Sequence, residues 1–376
     1  MVYQRRRFER REMRICVTGL RGLPGVMGGV ESHCEELLPR ILALYPKLAI
    51  RLVGRKPYLP EGVAEFKGVE VVSLPSPRQQ SLEAIVSTFL AVLHARRYGW
   101  RLIHIHAIGP GLLAPLARMV GLRVVLTHHG RDYDRAKWNP FARAMLRLGE
   151  WAGVAFAHRV IAVSPSLAEA LKQQFPAARG KISYVPNGAP ALADSQEGLP
   201  EVLSRLGVDE RPYVLAVGRL VPEKGFDYLV RAFLDSGTDR QLLIAGAADH
   251  ETDYSRKLLA TAGERVRFLG RQPRSVLRKL YEGADLFVLP SFHEGLPIVA
   301  LEAASCGAPM LLSDIGANRD IGLAEGNYFP VGDEAALSAA LARPRPEFAI
   351  DGPAIRSRFD WDVVARETLE IYRLAY

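Results

Sequence analysis

The sequence predicts an α/β chain of two doubly wound, parallel-sheet domains. Three observations carry this expectation. The 376 residues exceed one ordinary domain and suit two. Short apolar runs alternate with amphipathic stretches along the chain, the pattern of buried strands and their crossover helices. Loops rich in glycine, cations or carboxylates follow those runs directly, and the carboxyl ends of parallel strands are where such sheets bind ligands.

Composition narrows the partners. With 48% hydrophobic residues the chain can bury two cores, and its net charge of +8 suits nucleic acid, anionic lipid or phosphorylated small molecules. Residues 1–12 hold five arginines against two glutamates and have no apolar stretch, so they read as a basic arm, or as sequence ahead of a true start at Met13, and not as a secretory signal. Cys16, Cys34 and Cys306 form no Cys-x-x-Cys pair and read as buried small hydrophobes, which fits a reducing cytoplasm. No apolar run is long enough to predict a transmembrane helix, and peripheral membrane contact stays open.

The first domain is assigned to residues 13–190. Met13 to Gly19 reads as a buried strand, Leu20 to Gly29 as a glycine-rich ligand loop, and Val30 to Leu44 as an amphipathic helix. A dinucleotide fingerprint is not met, because the glycines fall at Gly19, Gly22 and Gly25 and the second strand, Ala49 to Gly54, runs into Arg55-Lys56 and not into an acidic residue. Further strands are expected at Val69 to Leu74, Leu102 to His106, Arg123 to Thr127, Arg159 to Val163 and Lys181 to Val185. The loop Thr127 to Asp134 carries His128, His129, Asp132 and Asp134. A metal site built from His104, His106, His128 and His129 is weighed and set aside, because His128 and His129 are adjacent and point apart and no further ligands are evident. Asp132-Tyr133-Asp134 is likewise too short a pattern to assign a divalent ion. His129 is the foremost functional histidine, with His104 and His106 packed and hydrogen-bonded. Between Arg131 and Arg147, five cations interleave with Tyr133, Trp138 and Phe141, which suits either an anionic membrane or acceptor, or a solvated helix face.

The second domain is assigned to residues 191–358, after the turn Val185 to Ala189 and the irregular stretch Pro190 to Pro200. It opens with the strand Tyr213 to Gly218, followed by Arg219 and Lys224, a pair that suits a diphosphate or else two exposed cations. Strands are expected at Gln241 to Ala245, Val266 to Leu269, Leu286 to Pro290 and Pro309 to Ser313. The stretch Ser291 to Glu302 reads strand, loop, helix, with Pro297 at the first helical position. The amides of Gly295 and Leu296 would face an anion there, while Glu294 and Glu302 suit sugar or ribose hydroxyls, against the alternative of a solvated loop and helix surface. Residues 359–376 form a final amphipathic helix bearing Trp361, Val364, Leu369, Tyr372 and Leu374.

In this order, Gly28-Gly29-Val30-Glu31, His129-Gly130, Pro186-Asn187-Gly188, Gly218-Arg219-Leu220 to Glu223-Lys224-Gly225 and Glu294-Gly295-Leu296-Pro297 to Glu302 resemble the retaining glycosyltransferases of family 4. Gly19-Leu20-Arg21-Gly22-Leu23-Pro24 looks most like a bacterial subgroup of cell-surface polysaccharide assembly. The resemblance implies the glycosyltransferase B fold of two facing Rossmann-like domains, with the final helix returning to the first, and metal-independent transfer from a nucleotide-diphosphate sugar with no cofactor. On these positions, Arg219 and Lys224 would meet the diphosphate and the Gly28-Gly29 backbone its distal phosphate. Glu302 would hold the ribose, and Glu294 with Gly295 and Leu296 the donor sugar. His129 would sit near the reacting centre and Arg271 near the base, where main chain from Gly270 to Gln272 makes the contacts. The implied acceptor is a lipid-linked or polysaccharide intermediate at the inner face of the cytoplasmic membrane. Arg101 stands where such proteins often have an acidic residue. A nucleotide-sugar epimerase on the same scaffold is the alternative, and nucleic-acid binding has no motif behind it beyond the net charge.

Overall fold

The computed structural model describes residues 13–59, 62–77, 80–134, 138–193, 195–248 and 250–376; the basic arm, Arg135 and Lys137 lie outside them. The chain divides into one unit of Met1–Tyr133, Trp138–Pro186 and Trp361–Tyr376, and a second of Asp134–Lys137 and Asn187–Asp360. The division falls between Pro186 and Asn187, inside the Pro-Asn-Gly turn and ahead of the boundary placed at residue 190.

The first unit is built on an eight-stranded sheet. Its strands are β1 (Met13–Thr18), β2 (Leu48–Arg55), β3 (Glu65–Phe66), β4 (Val69–Leu74), β5 (Leu102–His106), β6 (Arg123–His128), β7 (Arg159–Ala162) and β8 (Ile182–Tyr184), in the order β3-β4-β2-β1-β5-β6-β7-β8. Neighbours pair in parallel except β3 with β4, a two-residue antiparallel edge too short to leave a periodic signal. The strand order reverses at β1, which pairs with β2 on one side and β5 on the other. The first helix, Gly29–Leu44, buries Cys34, Leu37, Leu38 and Ile41. The last helix, Trp361–Ala375, buries Trp361, Val364, Leu369 and Tyr372 in the same core as Ile15, Val17 and Leu52. That i, i+3, i+8, i+11 spacing lines one face of a helix, so the chain's last segment completes the core of its first unit.

The second unit has six strands: β9 (Tyr213–Val217), β10 (Gln241–Ala245), β11 (Val266–Gly270), β12 (Leu286–Leu289), β13 (Met310–Ser313) and β14 (Tyr328–Phe329), in the order β11-β10-β9-β12-β13-β14. All pairs are parallel. Strands β9, β10 and β12 are buried at every residue, which explains why they read as continuous apolar runs and not as alternating ones. Here the order reverses at β9, flanked by β10 and β12.

Candidate active site

In the second unit the loops after β9 and β12 open at the strand-order reversal. The first loop ends in a short 3-10 turn, Pro222–Lys224, closed by Gly225 at φ 66°. A Cβ on Gly225 would lie 2.4 Å from the Pro290 carbonyl oxygen, so only glycine lets the two loops meet. The Phe292 N–H donates to the Glu223 carbonyl at 2.9 Å and fixes their register. Across that junction Lys224 Nζ lies 2.5 Å from Glu294 Oε1, which also accepts from Ser291 Oγ at 2.6 Å. Both side chains are mostly buried: Lys224 is 13% exposed and Glu294 11%. Arg219 Nη2 lies 4.0 Å from the buried Glu223 carboxylate. The reading of these residues as free surface charges is thereby excluded for Lys224 and Glu294.

The following helix runs Ile298–Ser305 with Pro297 as its N-cap, one residue later than expected, because Pro297 takes an extended ψ of 108°. Among the described residues the amides of Gly295 and Leu296 make no backbone hydrogen bond. The Leu296 carbonyl accepts from Asn187 Nδ2 at 2.7 Å, which gives the Pro-Asn-Gly turn a structural task. Glu302 is buried, not on an exposed helix face, and accepts from the Tyr281 hydroxyl at 3.3 Å. Burial and the Glu302 charge push the Tyr281 pKa well up, so it stays a donor. Arg271 starts the loop after β11, two strands away on the same carboxyl edge, and is exposed. Tyr281 had no place in the sequence reading, since its partner is distant in the chain, while Asn187 and Ser291 stood inside the motifs without a role of their own.

In the first unit the loop after β1 is held by Glu31, whose Oε1 accepts from the Arg21 N–H at 2.9 Å and Arg21 Nε at 3.2 Å. Gly19, at φ 100°, passes so close to β5 that a Cβ would lie 2.2 Å from the His106 carbonyl oxygen. Gly28 is the N-cap of the first helix, and nothing lies within 4 Å of a Cβ placed on Gly29, so this main chain is open to a ligand. Arg55, at the end of β2, pairs with Glu83 at 3.2 Å.

The histidines separate by direction. His128 Nε2 lies 2.9 Å from the buried Glu150, which also accepts from Tyr133 and from Gln174. Tyr133 is therefore not part of an exposed aromatic face. His129 turns the other way, with Nε2 2.9 Å from His106 Nδ1. His104, in the middle of the interior strand β5, bonds Tyr372 and Thr127, each at 2.7 Å. Burial, then neighbouring imidazoles, holds His106 and His129 well below the usual histidine range, and His104 at about 3. His33 meets His129 and His106 edge-on, and His33, His106 and His129 have nitrogens within 4.8 Å of one another. Three imidazoles could in principle take a zinc-like ion, but ligand nitrogens at about 2.0–2.1 Å from a tetrahedral ion lie roughly 3.3 Å apart. The 2.9 Å His106–His129 separation is that of a shared proton. Asp132 and Asp134 do not join this group.

The helix Pro140–Phe156 is capped by Asn139, which accepts from the Ala142 N–H at 2.8 Å. It exposes Phe141 at 75%, Leu148 at 46% and Trp151 at 49%, with Ala144 and Ala155 on the same stripe and Arg143 and Arg147 exposed beside it. No helix among the described residues is long and apolar enough to cross a membrane.

Two doubly wound units with polar loops at both strand-order reversals define the architecture of the B-type glycosyltransferases. Residues 27–191 match the family model Glycosyltransferase Family 4, and residues 203–343 match Glycosyl transferases group 1. The chain carries these two glycosyltransferase domains in that order. Alpha-maltose-1-phosphate synthase of Mycolicibacterium smegmatis is 29% identical, covering 96% of this chain and 99% of its own. Among solved structures, sucrose-phosphate synthase from Thermosynechococcus elongatus superposes with a TM-score of 0.79 at 23% identity, over 96% of this chain and 98% of its own. The Anabaena protein HepE in complex with UDP-glucose follows with a TM-score of 0.74 at 20% identity, over 95% and 98%.

Proposed function

We propose that this glycosyltransferase transfers a sugar, with retention at the anomeric carbon and without a metal or cofactor, from a nucleotide-diphosphate sugar to a lipid-linked or polysaccharide acceptor of cell-envelope glycan synthesis. The observation that carries the donor reading is the Lys224–Glu294 pair at the β9/β12 reversal, a cation and a carboxylate held together at one ligand edge. A similar fold holding UDP-glucose supports it. Lys224 and Arg219 neutralise the diphosphate, Glu302 takes the ribose hydroxyls, and Glu294, with the Gly295 and Leu296 amides, takes the sugar hydroxyls. Gly28 and Gly29 offer main chain to the distal phosphate, Arg271 serves the base, and His129 serves the transferring sugar.

In the reaction the bond from the anomeric carbon to the leaving phosphate oxygen breaks. The acceptor oxygen bonds the same face, and its proton passes to the departing phosphate. Fixed cations and amides stabilise the charge that grows on that leaving group, so the protein needs no strong base. The acceptor reading rests on the exposed apolar stripe of Pro140–Phe156 beside Arg143 and Arg147, which suits an anionic membrane surface at the cytoplasmic face.

Thermal stabilisation by a panel of nucleotide sugars, followed by product analysis with isolated membrane lipid as acceptor, tests the reading. Stabilisation by one donor and transfer to lipid are expected; no stabilisation by any nucleotide sugar would overturn it.

A further inference from the structure

The strand β5 ends in His104-Ile105-His106, and the two-residue period of a strand places both imidazoles on one face, their centroids 4.0 Å apart. Both nitrogens of the fully buried His106 have neighbours. Nδ1 lies 2.9 Å from His129 Nε2, and Nε2 lies 3.6 Å from the Sγ of Cys34 on the first helix. Two neutral imidazoles at hydrogen-bond distance need one N–H donor and one bare acceptor, so the proton on His106 decides where the proton on His129 sits.

Cys34 settles the direction. It is fully buried, and burial pushes its pKa well up, so it keeps its proton and is a donor. Of the two His106 nitrogens, Nε2 is the nearer to Sγ, at 3.6 Å against 3.8 Å for Nδ1, and Nδ1 is already turned to His129. With Nε2 accepting from the thiol, the His106 proton resides on Nδ1 and is donated to His129 Nε2. His129 must then hold its own proton on Nδ1.

We propose that Cys34 and His106 are positioning residues that fix His129 as the Nδ1-protonated tautomer, so that its second nitrogen presents a hydrogen-bond donor to the sugar. The donor role rests on the reading of His129 under Proposed function; the tautomer does not. All three residues belong to the first unit, and none of the sequence motifs pairs them.

The test begins with the wild-type protein, labelled with 15N-histidine and observed in long-range proton–nitrogen spectra near neutral pH. His129 is assigned by the signals lost in His129→Gln. A protonated Nδ1 and bare Nε2 on His129 are expected, and the reverse pattern overturns the proposal without any other variant having to fold. Cys34→Ser keeps a donor and is expected to leave that pattern intact, whereas Cys34→Ala is expected to show both tautomers. For turnover, His106→Gln retains an N–H toward His129 and His106→Phe does not. A loss of roughly tenfold in kcat for His106→Phe, with the donor KM within about twofold and rescue by His106→Gln, is expected for one hydrogen bond acting through His129. The expected tautomer with equal kcat in the Phe and Gln variants would overturn the positioning role and the His129 reading, while leaving the proton assignment standing.

Discussion

Lys224 Nζ and Glu294 Oε1 stand 2.5 Å apart, although 70 residues separate them in the chain. Each comes from a loop following a strand at the centre of the same parallel sheet, and Gly225 lets those loops touch. The carboxylate holds the cation. A donor diphosphate would take over the lysine and release Glu294 and the Ser291 hydroxyl toward sugar hydroxyls.

Removing the lysine therefore tests transition-state stabilisation directly. Lys224→Ala is expected to lower turnover by roughly 100-fold or more, about 3 kcal/mol, with an unchanged circular dichroism spectrum. Normal turnover in the folded variant would show that the leaving group is met elsewhere.

Glu294→Gln separates sugar from phosphate. It is expected to impair transfer more than it weakens binding of the free nucleoside diphosphate, measured by calorimetry. Equal losses in both would mean that Glu294 serves only to place Lys224.

Glu302 is buried against Tyr281, so its carboxylate is fixed in one place. Glu302→Gln is expected to weaken nucleoside diphosphate binding by roughly tenfold, the worth of a charge-assisted hydrogen bond. With the deoxyribose counterpart the variant and wild type should bind alike; a persistent difference would remove Glu302 from the ribose.

The buried imidazoles make the first unit acid-sensitive. Folding lowers the pKa of His104 to about 3, through burial and His33, and lowers those of His106 and His129. Below the unfolded value of about 6.5 the unfolded chain binds more protons, so their stabilising contribution is complete above that pH and is lost as pH falls toward the folded values. Each ring contributes about 1.4 kcal/mol per pH unit in that window. All four tryptophans, Trp100, Trp138, Trp151 and Trp361, lie in this unit, so their fluorescence reports its unfolding alone. The urea midpoint is expected to drop between about pH 7 and pH 5, and less steeply in His104→Gln; a flat profile would contradict neutral burial.

The stripe on Pro140–Phe156 gives a binding prediction. Wild type should sediment with vesicles rich in anionic lipid and not with neutral ones, and added salt should weaken it. Phe141→Glu with Trp151→Glu should abolish sedimentation while leaving soluble-donor binding intact. Equal sedimentation with neutral vesicles would count against the charge component.

Both sheets could be read from the sequence because buried parallel strands are continuous apolar runs, and the ligand loops because they follow those runs at once. Edge pieces such as Glu65–Phe66 and Tyr328–Phe329 could not, since two residues carry no period. The motif residues Lys224, Glu294, Glu302 and His129 were visible as chemical types in a recurring order. The partners Tyr281, Asn187 and Cys34 were not, because they act through side-chain contacts with residues distant in the chain.

The sequence by itself determined the class of fold, the family of domains and the positions where charge and glycine gather, because periodicity and motif order are local properties of the chain. Only the tertiary structure decided which partner each charge meets. It turned Tyr133 and Arg55 inward to carboxylates, joined Lys224 to Glu294, and set Cys34, His106 and His129 in line. Burial supplies the reason: once water is excluded, a polar group must find its partner within the fold, and strand order decides which partner is in reach.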